Sequence, residues 1–553
     1  MTLFLRALPI KEISLLSCLL LGACGGGSDG GDDDDDNGGA LAACGATFIG
    51  NGSATTITVS GRITYADVPT SAFFNGLQYS LEQALPVRGA TVEACSSNGI
   101  FASTTTTTDG EYNFNVPAGT TLRVRVRAQL VQTGSPSWDV RVVDNTNNKS
   151  LYVLTGGLAD TGDASQRRDL HAPSGWTGAA YTQTRSAGPF AILDTIYQSM
   201  QTVIGADSTA NFPALLVNWS VNNQPAAGNE NNGEISTSFY RSSTTEIFVL
   251  GEENSDTDEY DDHVVAHEWG HYFQDVFSRD DSIGGPHSLN DRLDIRIAFS
   301  EGWGNALAAI TTGRPVYRDT EAAGQALGFG FSVENNNVVS TRRGWFSEDS
   351  AQSIIYDIFD SNDDGADTVS LGFEALYEAL TSTEFTGFDS PLSIYLLADR
   401  VRANNPGSNI TGLLAGQNIF GTDAFGTNET TLAAELPVIN TINNGQTINV
   451  CSHDDNGVFN KLGNRRFFRV TLNAQGSYRF SAVRTSGLAN ADPDITLYRD
   501  GSLLRSARSQ VSNSETFVIT LNPGSYWFEV FQYTNITGQQ AGDVCFDVSV
   551  SDS

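Results

Sequence analysis

Apolar and polar residues alternate strictly in "LRVRVRAQL", residues 122 to 130, where Leu122, Val124 and Val126 share one face and Arg123, Arg125 and Arg127 the other. That period of two is the signature of a β-strand. The same texture runs through "TTITVSGRITYAD" and "VRGATVEACSS", with turns at Asp109-Gly110 and Ala118-Gly119, and predicts an all-β block over 53–169. Over 170–435 the period lengthens. Phe190, Leu193, Ile196 or Tyr197, and Met200 fall at helical spacing, and further helices are predicted around 261–277, 298–312, 350–360, 371–381 and 391–403. "FPALLVNWSV" and "TTEIFVLG" read as strands among them, so this block is α+β. Over 436–553 the alternation returns in "RRFFRVTLN", "ETFVITLNPGSYWFEVFQY" and "VCFDVSVSD". The pattern predicts a multidomain chain in which an α+β domain is flanked by two all-β sandwich domains.

The outer blocks carry resemblances. "GRIT…PVRGATVEA…TTTDGEYNFNVPAG" resembles transthyretin-like, carboxypeptidase-regulatory β-sandwiches of secreted bacterial proteins. "ADPDITLYRDGSLL" and "LNPGSYWFEVF" resemble the pre-peptidase C-terminal β-sandwich appended to secreted peptidases. The start of the chain reads as an export signal, residues 1–23, with Arg6 and Lys11 before an apolar run too short to span a bilayer. Leu21-Gly22-Ala23-Cys24 resembles a bacterial lipobox, which implies lipidation at Cys24. Residues 24–52, rich in Gly and Asp, are expected to form a solvated tether. Gly25 in place of Asp implies, by the sorting rule of such lipoproteins, the outer membrane of a Gram-negative cell.

Composition narrows the partners. The net charge is −33 over 553 residues, and no basic block offsets it, which excludes nucleic acid. A protein or peptide substrate, membrane attachment through the N-terminal lipid alone, and a monomeric chain are expected. Of the 6 cysteines, Cys18 lies in the signal and Cys24 in the lipobox. Cys44 with Cys95, and Cys451 with Cys545, are the local pairings in an oxidising compartment, and other pairings stay open.

The chemistry concentrates in "VVAHEWGHYFQ", residues 264 to 274, in a chain with only 6 histidines. About 0.003 matches to His-Glu-x-x-His are expected by chance at this composition. Val265, Trp269, Tyr272 and Val276 form an apolar stripe beside His267 and His271, so the segment is a helix that presents both imidazoles on one face. Both can reach one zinc ion, whose catalytic form takes three protein ligands and keeps one position open. His263 lies about 12 Å along the axis from His271 and cannot be the third ligand. Gln274 and Phe277 exclude the metzincin continuation.

"IRIAFSEGWGNALAAI" follows, a second helical run entered by Glu301. The pair of runs resembles the gluzincin metallopeptidases, the thermolysin clan. The resemblance implies a zincin-like catalytic domain, with His267, His271 and Glu301 as zinc ligands and Glu268 as general base. Asp291 and Asp294 are the competing carboxylates. Two features depart from thermolysin: the 30-residue step from His271 to Glu301, and Asn305 where thermolysin-like enzymes carry aspartate. Asn305 remains a candidate to hold a ligand imidazole from behind.

His287 and Tyr356 are the candidates for a donor to the developing oxyanion; core or loop roles are their alternatives. "DSNDDGAD", residues 360 to 367, offers Asp360, Asn362 and Asp364 with Gly365 as a calcium loop would, but Leu371 stands where the closing glutamate belongs. A solvated loop is its other reading. The function expected is a cell-surface zinc endopeptidase. The alternatives are a surface binding or adhesion lipoprotein with a non-catalytic metal site, and a peptidase directed at mucin-type glycoproteins.

Overall fold

The computed structural model describes Cys44 and residues 55–335, 338–362 and 368–553. The expected signal, the tether apart from Cys44, Cys24, Asp364 and Gly365 lie outside the described residues.

Two sheets organise the first half. In one, the long strand Thr56–Asp67 pairs antiparallel with Glu111–Pro117 and Gln83–Pro86, and parallel with Gln166–Arg167 and Leu170–Ala172. The other runs through Gly99–Thr105, Ala90–Ser96, Thr121–Gln132 and Trp138–Asp144 as antiparallel neighbours. It does not stop at residue 169. Leu215–Trp219 adds parallel to Trp138–Asp144, Glu246–Val249 adds parallel to that, and Phe239–Arg241 closes the edge antiparallel. The sequence reading separated a sandwich from an α+β domain here, whereas the hydrogen-bonded sheet crosses the boundary. The physical reason is the paired edges: Trp138–Asp144 and Leu215–Trp219 satisfy each other's backbone groups. The polar-looking face of "LRVRVRAQL" is also not a solvent face throughout. Arg125 is buried and its guanidinium donates to Glu93 at 2.8 Å.

Six of the described helices build the centre: α1 (Gly188–Ala206), α2 (Asp262–Phe277), α3 (Ile295–Thr312), α4 (Glu348–Phe359), α5 (Gly372–Thr381) and α6 (Ile394–Asn404). They fall where the helical period predicts them. The apolar stripe of α2 is buried as expected, with Val265, Trp269 and Tyr272 at 1%, 0% and 1% exposure. Trp269 packs near Phe212 and Phe273, and the Tyr272 hydroxyl donates to Pro213 O at 2.6 Å. Truncating one such buried aromatic costs about 3–5 kcal/mol. Among the described residues no helix is long and apolar enough to cross a membrane.

Residues 439–552 form a β-sandwich. A five-stranded sheet ordered Ile439–Thr441, Arg465–Leu472, Gly524–Gln532, Pro493–Arg499, Ser502–Ala507 faces a four-stranded one ordered Thr447–Ser452, Val544–Asp552, Gly476–Gly487, Ser514–Leu521. Phe468, Phe480, Phe528 and Phe546 fill the space between them. Disulfides join Cys44 to Cys95 and Cys451 to Cys545, the second between directly opposed residues of neighbouring strands. Two disulfides fit an oxidising, extracytoplasmic environment.

The sandwich grips the centre rather than hanging from it. Arg296, in the first turn of α3, donates to both Asp294 and Glu529 at 2.9 Å. Lys461 Nζ donates to Pro286 O at 2.6 Å, and Asn460 Nδ2 to Gly284 O at 3.0 Å.

Candidate metal centre

Helices α2 and α3 cross on two glycines, and that crossing makes the site. A Cβ on Gly270 would meet Gly304 Cα at 3.1 Å, and one on Gly304 would stand 2.7 Å from Cε1 of His267. The stretch Glu301-Gly302-Trp303-Gly304-Asn305 thus uses its glycines for close approach. Gly302 faces the other way, where an added Cβ would lie 2.6 Å from Ala351 Cβ on α4. Trp303 locks the crossing by donating its indole N–H to Gly270 O at 3.0 Å.

At the crossing, Nε2 of His267 lies 3.1 Å from Nε2 of His271 and 3.2 Å from Oε2 of Glu301, while His271 Nε2 to Glu301 Oε2 is 3.5 Å. Two ligands each about 2.0–2.1 Å from a tetrahedral zinc stand about 3.3 Å apart. The three donor atoms therefore have the mutual spacing that zinc requires.

Hydrogen bonds behind the imidazoles set their tautomers. Both N–H bonds of the Asn305 amide are used, to Glu348 Oε1 and Gln352 Oε1 at 2.9 Å each. Its Oδ1 then accepts from Nδ1 of His267 at 2.9 Å. Ser300 donates its only hydroxyl proton to Gln274 Oε1 at 2.9 Å, so its oxygen accepts from Nδ1 of His271 at 3.2 Å. Each ring keeps a proton on Nδ1, so Nε2, facing the other two donors, is the atom that would give up any proton of its own to bind a metal. The residues present fit a zinc ion.

The charges around the site are strongly perturbed. Burial alone would raise the Glu301 carboxyl, but the His287 and His271 charges outweigh it and hold Glu301 well below the carboxylate range. Burial would lower His287, yet the Glu301 and Glu348 carboxylates carry it up to about 9. Burial raises Glu268, which sits on α2 beside the two imidazoles, with their charges opposing the shift.

His287 arrives from the loop between α2 and α3. Its Nε2 is 3.3 Å from Glu301 Oε2 and its Nδ1 is 3.0 Å from Glu348 Oε2. It is outside the group of donor atoms within 4.8 Å of one another, which holds His267, His271 and Glu301. Tyr356 lies elsewhere. It follows Glu348 by two helical turns on α4, about 12 Å along the axis, and is buried beside Phe359 at a ring separation of 5.8 Å. Asp294 caps α3 and pairs with Arg296, and Asp291 lies 3.3 Å from Lys461 Nζ. Neither joins the donor group. His263 bonds to Arg314 O at 3.0 Å. Of the acidic loop, Asn362 donates to Glu334 Oε1 at 2.6 Å.

Sequence reasoning missed Glu348, Gln352, Ser300 and Gln274. Gln352 falls inside the helix predicted over 350–360, but Glu348 lies two residues before it, and only the observed start of α4 at Glu348 puts the two at i and i+4 on one face.

The family model of the Mycolysin C-terminal domain, a domain found in zinc metalloproteases, matches residues 206–411. That span contains every donor just described and supplies a peptidase context. No curated protein matches the chain. Among solved structures, the pre-peptidase C-terminal domain of a collagenase from Bacillus anthracis is 16% identical, with 20% of this chain and 93% of that chain covered at a TM-score of 0.16. The surface-associated copper-binding protein CorA of Methylomicrobium album BG8 is 12% identical, covering 20% and 98% at 0.16. A family 35 carbohydrate binding module from Clostridium thermocellum is 16% identical, covering 20% and 96% at 0.14.

Proposed function

We propose that the chain is a zinc-dependent endopeptidase, exported and anchored to the cell envelope through Cys24. The observation that carries the reading is the convergence of two imidazole Nε2 atoms and one carboxylate oxygen at zinc spacing, with Glu268 directly after the first ligand. A structural metal site needs no such glutamate.

Zinc, when held by His267, His271 and Glu301, supplies a Lewis acid and lowers the pKa of a bound water toward about 7. The chain's own groups do the rest. Glu268 takes the proton of the attacking water on its carboxylate and passes it to the leaving amine nitrogen. His287, anchored through Nδ1 on Glu348, presents an N–H from the loop beside Glu301 toward the carbonyl oxygen as negative charge develops there. Asn305 and Ser300 keep the ligand rings in the tautomer that leaves Nε2 free.

The test compares zinc content and cleavage of casein and of mucin for the parent and Glu268→Gln. Zinc retained with cleavage lost supports the reading. Cleavage that survives in Glu268→Gln, or a parent that takes up no zinc after repletion, overturns it. Mucin cleaved while casein is spared would narrow the substrate to glycoproteins.

A further inference from the structure

Immediately before α2 the chain reads Asp256-Thr257-Asp258-Glu259-Tyr260-Asp261, with Asp256 and Thr257 in a short strand and a turn closed by Asp261 N–H donating to Asp258 O at 3.0 Å. Thr257 and Glu259 turn toward Arg185, which donates to both. Asp256 and Asp258 turn the other way, toward Asp319 on the strand Val316–Glu321. One carboxylate oxygen from each of the three lies within 4.8 Å of the other two. Oxygens that share one cation at about 2.4 Å can stand no further apart than about 4.8 Å.

Acidic clusters are common on surfaces, but the middle member of this one is buried, with Asp256 and Asp319 half-buried on either side. Asp258 is 3% exposed, and while its Oδ2 accepts from Ser238, its Oδ1 receives no hydrogen bond. The Oδ1 of Asp256 is likewise buried with no donor from outside the cluster, the Asp256 and Asp258 carboxyls lying against each other. Alongside, Asp261 is 1% exposed; its Oδ2 takes two hydrogen bonds from Thr320, at 2.9 and 2.7 Å, and its Oδ1 takes none. Buried carboxylate oxygens with neither donor nor cation are costly, and native chains rarely leave them so. The charges acting most strongly on Asp256 and Asp319 are other carboxylates.

We infer that Asp256, Asp258 and Asp319 hold a second metal ion, a hard divalent cation of the calcium type, that ties the entry of α2 to the hairpin Val316–Ser332. An all-oxygen donor set excludes a preference for zinc or copper. Flexible carboxylate geometry with room for water and backbone oxygens suits calcium better than magnesium. The site differs from the acidic loop at 360–367, and it stands apart from the peptidase reading: a chain unable to cleave peptides would bind the ion equally well. Its role is to hold the helix that carries His267, Glu268 and His271, because Asp258 and Asp261 lie directly before that helix.

The experiment uses the full zinc-loaded chain, stripped of calcium and titrated with CaCl2 to about 5 mM, a range in which extracellular calcium modules saturate. Calcium uptake is measured by equilibrium dialysis and stability by melting temperature. One calcium per chain and a rise of about 3 °C are expected. Asp256→Asn and Asp258→Asn should each weaken uptake at least tenfold with zinc content unchanged. Asp319→Asn, at a half-buried strand position, should do the same and guards against a variant that fails to fold. No uptake by the parent, or uptake equal in all three variants, overturns the inference.

Discussion

Oδ1 of Asn305 lies 2.9 Å from Nδ1 of His267, one helical turn beyond Glu301 on the same helix. The amide is there because its other end must donate. Both of its N–H bonds reach acceptors on α4, Glu348 and Gln352. An aspartate, the residue thermolysin-like enzymes carry at this position, would set a second carboxylate against Glu348. The negative charge behind the ligand histidine has in effect moved one residue further out. Asn305→Asp is therefore expected to weaken zinc binding by about 10–100-fold, despite restoring the residue of the resembled clan. Asn305→Asp combined with Glu348→Gln should recover most of that loss, since the new amide can donate to the new carboxylate. Zinc affinities of the parent, both single variants and the double variant, from competition with a chelator, complete the cycle.

Gly304 exists for the ring of His267. A methyl there would stand 2.7 Å from Cε1 and 2.9 Å from Nε2. Helix α3 cannot retreat, because Gly302 on its other side is already against Ala351 and the backbone of Gln352. Gly304→Ala should gain about 1 kcal/mol of helix propensity and still lose the metal, with bound zinc below one-tenth of the parent. Gly205→Ala, on α1 with nothing within 4 Å of the added methyl, is the control. It should keep full zinc and melt at the same temperature or higher.

His287 separates metal binding from turnover. It touches Glu301 and Glu348 but stands outside the mutually close donor group. His287→Ala should retain one zinc per chain and lower kcat by about 10²–10³, with KM little altered, the pattern of a donor used only in the transition state. Loss of zinc instead would make His287 a ligand. Lys461→Ala removes the ammonium that holds Pro286 O at 2.6 Å and should lower kcat more mildly, through the placement of the same loop.

Much of this architecture is legible in the chain because it is local. Helices α2 and α3 announce themselves by period, and His267 and His271 by their spacing on one face. Glu301 enters through a resemblance between two helical runs. What the sequence hides is set by helix crossings. Ser300 and Gln274 meet only because α2 and α3 approach on glycines. Glu348 reaches His287 across 61 positions of chain. Tyr356 shows the converse failure: its place in chain order is right for a donor, but two further turns of α4 carry it into the core. The sheet that runs through Trp138–Asp144 into Leu215–Trp219 is equally invisible, since the pairing of one strand edge with another leaves no mark on either segment alone.

The C-terminal sandwich carries a titration of its own. Asp494, on the strand Pro493–Arg499, is 2% exposed and its Oδ2 is buried without a partner. Burial pushes it up to about 7, reinforced by Asp492 and Glu515, with Arg508 and Arg465 opposing. The unfolded carboxyl titrates near 4, so the folded group holds its proton where the unfolded one has released it. The stability this contributes is fully present below about pH 4 and is lost as pH rises through about 7. Asp494→Asn keeps the shape and removes the titration. Across pH 6 to 8 the parent's sandwich should therefore lose melting temperature, while the variant's curve stays flat over the same window and lies above the parent's at pH 8. Parallel curves for the two proteins would assign the pH dependence to other groups.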